Sequence, residues 1–184
     1  MQVEETAISA VKIITPKKFG DHRGFFSEVF SVNAWKEAGL DYAFVQDNHS
    51  YSAEVGVIRG LHFQLAPFGQ DKLVRVAKGR VLDVAVDLRR SSPTFAKWVG
   101  LRLSAESRQQ VWIPPGFAHG FYVLSEWAEL AYKVSDLYSP EHDRTLVWND
   151  PTLNIDWPLL DGQPPLLSPK DAKGRRLSEA DVYA

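Results

Sequence analysis

Between Leu73 and Val134 the chain is a succession of short apolar-rich runs cut by turn signals, and this punctuation constrains the fold more than any other feature. Leu73 to Val76 stops at Lys78-Gly79-Arg80, a hairpin-like break. In Val81 to Leu88, Asp83, Ala85 and Asp87 alternate with Val84, Val86 and Leu88. Trp98 to Leu103 follows Ser92-Pro93, and Gln110 to Ile113 stops at Pro114-Pro115-Gly116. Phe121 to Leu124 is parted from Glu129 to Val134 by Ser125-Glu126. A period of two is that of a strand, because successive side chains point to opposite faces. Many short strands at close spacing predict an all-β antiparallel sandwich or barrel. Upstream, Val11 to Ile14 reads as a strand ended by Thr15-Pro16, Gly20 to Gly24 as a turn, and Phe25 to Phe30 as a second strand. Asn33 and Gly39 bracket a short helix as N-cap and terminal glycine. The proline-rich last forty residues (Pro151, Pro158, Pro164, Pro165, Pro169) are expected to wrap the surface with little regular structure, ending in a short helix.

A chain of 184 residues predicts one domain, residues 1–184. At this size a fold buries roughly 70% of the surface its unfolded chain exposes. The net charge of -2 gives no bulk-electrostatic reason to expect nucleic acid or a membrane as partner. The absence of cysteine excludes disulfides, thiolate nucleophiles and zinc–thiolate sites. Met1-Gln2-Val3-Glu4-Glu5 is acidic and does not read as a secretory signal, and no apolar run approaches the about 18 residues of a spanning helix, so a cytoplasmic location is expected. The 10 Phe and 6 Trp suit both a β-sheet core and stacking against a ring-shaped ligand.

The chemistry-bearing residues sit within this β pattern. His62 lies in Arg59-Gly60-Leu61-His62-Phe63-Gln64, and His119 in Pro114-Pro115-Gly116-Phe117-Ala118-His119. A lone strand histidine is ordinarily a buried one bonded to backbone. Here His62 and Gln64 share a face that Phe63 does not, and polar side chains aimed inward from a barrel wall line a cavity. An imidazole titrates near ~6.5 and so acts as a base at neutral pH. Glutamine is a poor metal ligand, so His62-Phe63-Gln64 falls short of the usual three protein ligands; no metal and no cofactor is expected. Tyr132 and Lys72, on neighbouring strands, read alone as a surface phenol and a solvated lysine; beside His62 they supply an acid and a cation. Arg23, Glu28, Gln46, Asp47, Asn48 and Arg59 stand in short aromatic-flanked contexts. Any one of them is more often a surface ion pair, but arginines near inward-facing aromatics suit a diphosphate. No phosphate-binding glycine loop is present, so a nucleotide would be held by side chains of the barrel.

Pro114-x-Gly116-x-x-His119 resembles the second motif of the cupin superfamily, which sharpens the expected fold to a jelly roll with short peripheral helices. The ordered series Phe19-Gly20-Asp21-His22-Arg23-Gly24-Phe25-Phe26, Gln46-Asp47-Asn48-His49-Ser50, Arg59 to Gln64, Lys72-Leu73-Val74-Arg75, Asp83-Val84-Ala85-Val86-Asp87, Ser92-Pro93-Thr94-Phe95, Trp112 to Phe121 and Trp148-Asn149-Asp150-Pro151 closely resembles the dTDP-4-dehydrorhamnose 3,5-epimerase family. The likeness runs from about Val11 to Asp171. It implies a metal-free cupin-type homodimer. That enzyme converts dTDP-4-dehydro-6-deoxyglucose to dTDP-4-dehydrorhamnose, an intermediate of dTDP-rhamnose synthesis. By resemblance the base is His62, its orienting carboxylate Asp171, the acid Tyr132, and Lys72 lies near the keto oxygen. Arg23, Glu28, Gln46, Asp47, Asn48, Arg59, Lys72, His119, Asp143 and Lys170 match substrate-contacting positions. Asp143 departs from relatives that carry glutamate there, and its shorter side chain is expected to reach the nucleotide only through water.

The implied chemistry is physically coherent. The C–H bonds at sugar carbons 3 and 5 are both alpha to the carbon-4 ketone, so loss of either proton gives an enolate that a cation stabilises. Inversion returns the proton on the opposite face, which calls for an acid separate from the base. Alternative readings are an epimerase acting at one carbon only, a non-catalytic cupin binding sugar nucleotides, and a metal-dependent cupin oxygenase.

Overall fold

The structure, a computed structural model, describes residues 1–40 and 43–184. Among the described residues the strands are β1 (Gln2–Glu5), β2 (Lys12–Thr15), β3 (Phe19–Asp21), β4 (Gly24–Phe26), β5 (Gln46–Ser52), β6 (Ile58–Gln64), β7 (Lys72–Lys78), β8 (Arg80–Asp87), β9 (Trp98–Ser104), β10 (Gln110–Ile113), β11 (Phe117–Val123), β12 (Ala128–Val134) and β13 (Asp143–Thr145). They form a six-stranded sheet in the order β1-β2-β10-β7-β12-β5, a five-stranded sheet in the order β13-β6-β11-β8-β9, and the small hairpin β3-β4. From β5 onward the chain passes back and forth between the two large sheets, pairing antiparallel throughout. This is the cupin jelly roll expected from the motif.

Among the described residues, three apolar clusters hold the layers together. Val74, Val76, Val111, Ile113 and Leu130 from one sheet meet Val81, Val99, Leu103, Phe117 and Phe121 from the other. The outer face of the five-stranded sheet (Leu82, Val84, Val86, Leu61, Phe63, Tyr122) is covered by Leu146, Leu153, Trp157 and Leu177 of the C-terminal segment. The outer face of the six-stranded sheet (Ile14, Leu73, Trp112) is covered by Trp35 and Leu40. Strand β8 is therefore buried on both faces. Its Val84 and Val86 lie under the C-terminal segment, while Val81, Asp83 and Ala85 face the space between the sheets.

Several expectations change in detail. The break at Gly79 is not a hairpin: β7 and β8 lie in different sheets, and the turn carries the chain from one to the other. Turn chemistry is local and does not encode which sheet the next strand joins. The helix is α1 (Val32–Glu37), with Ser31 rather than Asn33 at the N-cap and no side-chain cap bond. It starts early because Trp35 N–H bonds Ser31 O at 3.0 Å while the indole inserts into the third cluster. The strand expected over Phe25 to Phe30 ends at Phe26. The C-terminal segment is irregular, as expected, with 3-10 turns at Leu160–Gly162, Asp171–Lys173 and Leu177–Glu179, but it is also core cover.

Candidate active site

His62 and His119 are direct cross-strand partners on β6 and β11, so both imidazoles project from the same face into the space between the sheets. Pairing then slips: Arg59, three residues before His62, stands opposite Phe121, two residues after His119. The extra residue on β6 is a bulge, which turns Arg59 to the same side as His62 although their spacing is odd. The bulge lies at Gly60, whose φ is +112°. A Cβ built there would come within 2.6 Å of Gly120 Cα. Only glycine fits that conformation and that approach.

Opposite this wall stand Lys72 and Val74 on β7 and Leu130 and Tyr132 on β12, with Gln46, Asn48 and Ser50 on β5. Two adjoining hollows, about 290 and 230 Å³, lie between the walls and share His62, Lys72, Tyr132 and Lys170. They form one chamber. Its inner part has an apolar floor of Val74, Phe121 and Leu130. Its outer part is rimmed by Gln46, Asn48, Gln70, Tyr138, Asp143 and Lys170. A larger hollow of about 560 Å³ between the N-terminal arm and α1 takes in Glu28 but none of these groups.

Each imidazole is tied to a carboxylate. His62 Nε2 meets Asp171 Oδ1 at 2.5 Å, and Asp171 Oδ2 accepts from Ser168 Oγ at 2.8 Å. Burial pushes the Asp171 carboxyl up, but the hydrogen bond and charge of His62 and the bond from Ser168 outweigh it and hold the group below its ordinary range. His119 Nε2 meets Asp83 Oδ2 at 2.8 Å, with both side chains buried. Asp83 is a partner that sequence reasoning assigned no role. Its signal was an aspartate at a period-two position inside an otherwise apolar strand.

Lys72 Nζ donates to His62 O at 3.3 Å, so the ammonium spans the chamber from the opposite wall. Burial pushes it down to about 8, against the attraction of Asp143 and Asp83 and with repulsion from Lys170. Burial raises the Tyr132 phenol, opposed by the charges of Arg59 and Lys170, so the group keeps its proton at neutral pH. At the rim Asp143 accepts from Tyr138 Oη at 3.0 Å and pairs with Lys170. Gln64 is committed to the backbone: its amide donates to Phe68 O and Leu137 O and accepts from Ser139 N–H.

The structure thus gathers His62, Lys72, Tyr132, Asp171, Gln46, Asn48, Arg59, His119, Asp143 and Lys170 around one chamber. It does not bring three other sequence-derived residues there within this chain. Asp47 alternates to the outer face of β5 and pairs with Lys133 at 2.8 Å. Arg23 is exposed on the β3-β4 hairpin and pairs with Asp21 at 2.5 Å. Glu28 lies beyond that hairpin, in the hollow beside α1.

Fold and chamber together define a cupin-type enzyme, built to work on a ligand held between two β walls. A family model described as dTDP-4-dehydrorhamnose 3,5-epimerase matches residues 5–179. The chain is 56% identical to the dTDP-4-dehydrorhamnose 3,5-epimerase of Pseudomonas aeruginosa over 184 residues, covering 100% of this chain and 99% of that protein. A crystal structure of dTDP-6-deoxy-D-glucose-3,5-epimerase from Legionella pneumophila, in complex with dTDP-4-keto-L-rhamnose, superposes with a TM-score of 0.92 at 51% identity, covering 98% of this chain and 94% of that one. The Bacillus anthracis dTDP-4-dehydrorhamnose 3,5-epimerase, solved with TDP and PPi bound, superposes with a TM-score of 0.91 at 46% identity, covering 95% and 98%. The chain belongs to the dTDP-4-dehydrorhamnose 3,5-epimerase family. It epimerises dTDP-4-keto-6-deoxyglucose at carbons 3 and 5 to dTDP-4-keto-rhamnose in dTDP-L-rhamnose biosynthesis.

Proposed function

We propose that His62 is the base, Tyr132 the acid and Lys72 the cation of this double epimerisation. One observation carries the assignment: His62 projects from one wall of the chamber, while Tyr132 and Lys72 project from the other. With its Nε2 proton held by Asp171, the His62 ring keeps its other nitrogen free to take the proton from carbon 3 or carbon 5. Asp171 then balances the imidazolium that forms. The electron pair moves onto the carbon-4 oxygen, where the Lys72 ammonium meets the growing charge. Tyr132, protonated because it is buried, returns a proton from the opposing side. His119, fixed by Asp83, orients the sugar, and Arg59, Lys170, Gln46 and Asn48 hold the nucleotide end, whose binding energy positions the ring for reaction.

The same reading assigns Arg23 and Glu28 to the chamber of a second copy. The β3-β4 hairpin carries Phe19, Phe25 and Phe26 at 61%, 59% and 68% exposure, an apolar surface that a lone chain leaves in water. In a homodimer the hairpin reaches over the partner's chamber and adds the Arg23 guanidinium to the diphosphate. The protein works in the cytoplasm, with neither nucleic acid nor membrane as partner.

Turnover in heavy water tests the assignment. The wild-type enzyme places solvent deuterium at carbons 3 and 5, and His62→Ala places it at neither. Exchange at wild-type rate in that variant would remove His62 from the mechanism. Mixing Arg23→Ala with His62→Ala chains tests the dimer. Shared sites restore activity that neither variant has alone, whereas sites complete within one chain restore none.

A further inference from the structure

The two halves of the His62–Asp171 pair come from segments far apart in sequence, and one short strip sets the distance between them. Thr145 pairs with His62 in the β6-β13 register. Leu146 N–H donates to Leu61 O at 2.9 Å and Leu61 N–H to Leu146 O at 3.3 Å. The other edge of the same strip binds the chain that follows Asp171. Arg175 N–H donates to Thr145 O at 2.9 Å and Val147 N–H to Arg175 O at 2.9 Å, a parallel bridge. Two residues further on, Leu177 N–H donates to Asp150 Oδ2 at 2.7 Å, and the Leu177 side chain is buried.

Gly174 joins the Asp171–Lys173 turn to this bridge. Its φ of -53° and ψ of 147° are open to any residue, so conformation does not demand glycine. Space does. A Cβ built there would stand 2.6 Å from Val147 N, 2.7 Å from Leu146 C and 2.8 Å from Leu146 O. All three are backbone atoms of the strip that positions His62, so none can swing aside.

We propose that Gly174 is a positioning residue for the epimerisation: its missing side chain lets the C-terminal strap lie against residues 145–147, which holds Asp171 on His62. The proposal rests on the reading of His62 and Asp171 as the base and its carboxylate. A side chain at 174 lifts the strap, and Asp171, three residues upstream, moves off the imidazole. Displacements of about 1 Å at such a pair cost about 10²-fold in rate.

A double-mutant cycle in the full-length enzyme tests this. Gly174→Ala is expected to lower kcat about 10²-fold while KM stays within about threefold. In an Asp171→Asn background the same substitution is expected to cost no more than about twofold, because the carboxylate charge whose placement it spoils is already gone. Leu177→Ala, which loosens the strap from its far anchor, follows the same pattern with a smaller loss and serves if Gly174→Ala does not fold. Full kcat in Gly174→Ala, or losses that multiply with that of Asp171→Asn, would overturn the proposal and leave the pair intact. An Asp171→Asn enzyme with undiminished kcat would instead overturn the reading of the pair itself.

Discussion

Two imidazole–carboxylate pairs face the same chamber from adjacent strands, and they are built differently. His119 and Asp83 both belong to the five-stranded sheet, on β11 and β8, and are locked into its ladder. His62 lies on β6, but its carboxylate comes from the C-terminal segment, 109 residues away. The His62 side chain is 32% exposed and that of His119 10%. In the roles proposed for the two rings, an imidazole that only orients a sugar needs rigidity, and the sheet supplies it. One that shuttles protons needs an open nitrogen towards the substrate and a carboxylate behind it, and a single sheet face offers one direction. A segment crossing from outside supplies the second.

The sharpest way to break this contrast is to delete each ring in turn. His62→Ala should lower kcat by about 10⁴-fold, the upper range for acid–base catalysis. His119→Ala should act mainly on KM, by about tenfold, as loss of one binding contact does. Steady-state kinetics on both variants checks this, and equal kcat losses would erase the distinction. Removing the cation comes next. Lys72→Met should cost about 10²–10³ in kcat, the scale of one lost donor to a developing oxyanion. The same variant should be more stable. An unfolded lysine keeps its proton up to 10.5 and Lys72 only to about 8, so at neutral pH its charge costs the fold about 3 kcal/mol. Denaturant melts at pH 7 and pH 9.5 separate the effects: the variant's advantage shrinks as pH rises between those values, because the unfolded state then binds more protons than the native one. For the same reason kcat/KM of the wild type should decline as pH rises through about 8, where the ammonium loses its charge, and Lys72→Arg should lack that decline. The smallest expected change is Asp83→Asn, with kcat within about threefold of wild type, because the sheet still holds His119.

Much of this was legible in the chain. The strand pattern followed from period-two runs and their Gly and Pro stops, and His62 and His119 stood out as imidazoles within β-segments, whereas Lys72 and Tyr132 read alone as surface residues and gained roles only beside His62 and from the family resemblance. What was hidden depended on tertiary detail. Alternation in β8 separates Asp83 from Val84 but does not say which side is the interior. Here the Val84 side is covered by the C-terminal segment, and the Asp83 side faces the other sheet, where Asp83 bonds His119. The bulge at Gly60 brings Arg59 beside His62, and an ideal strand would send it to the opposite face. The requirement for glycine at 174 comes from backbone brought near by a fold-back, for which no local motif exists.

The proposed mechanism needs a base and an acid acting from opposing walls, and Tyr132→Phe in heavy water tests it most directly. With the phenol gone and His62 intact, proton removal should continue, so recovered substrate should carry deuterium at carbon 3 or 5 while formation of the inverted product falls by about 10²-fold or more. Parallel loss of exchange and inversion, in the same proportion, would contradict it.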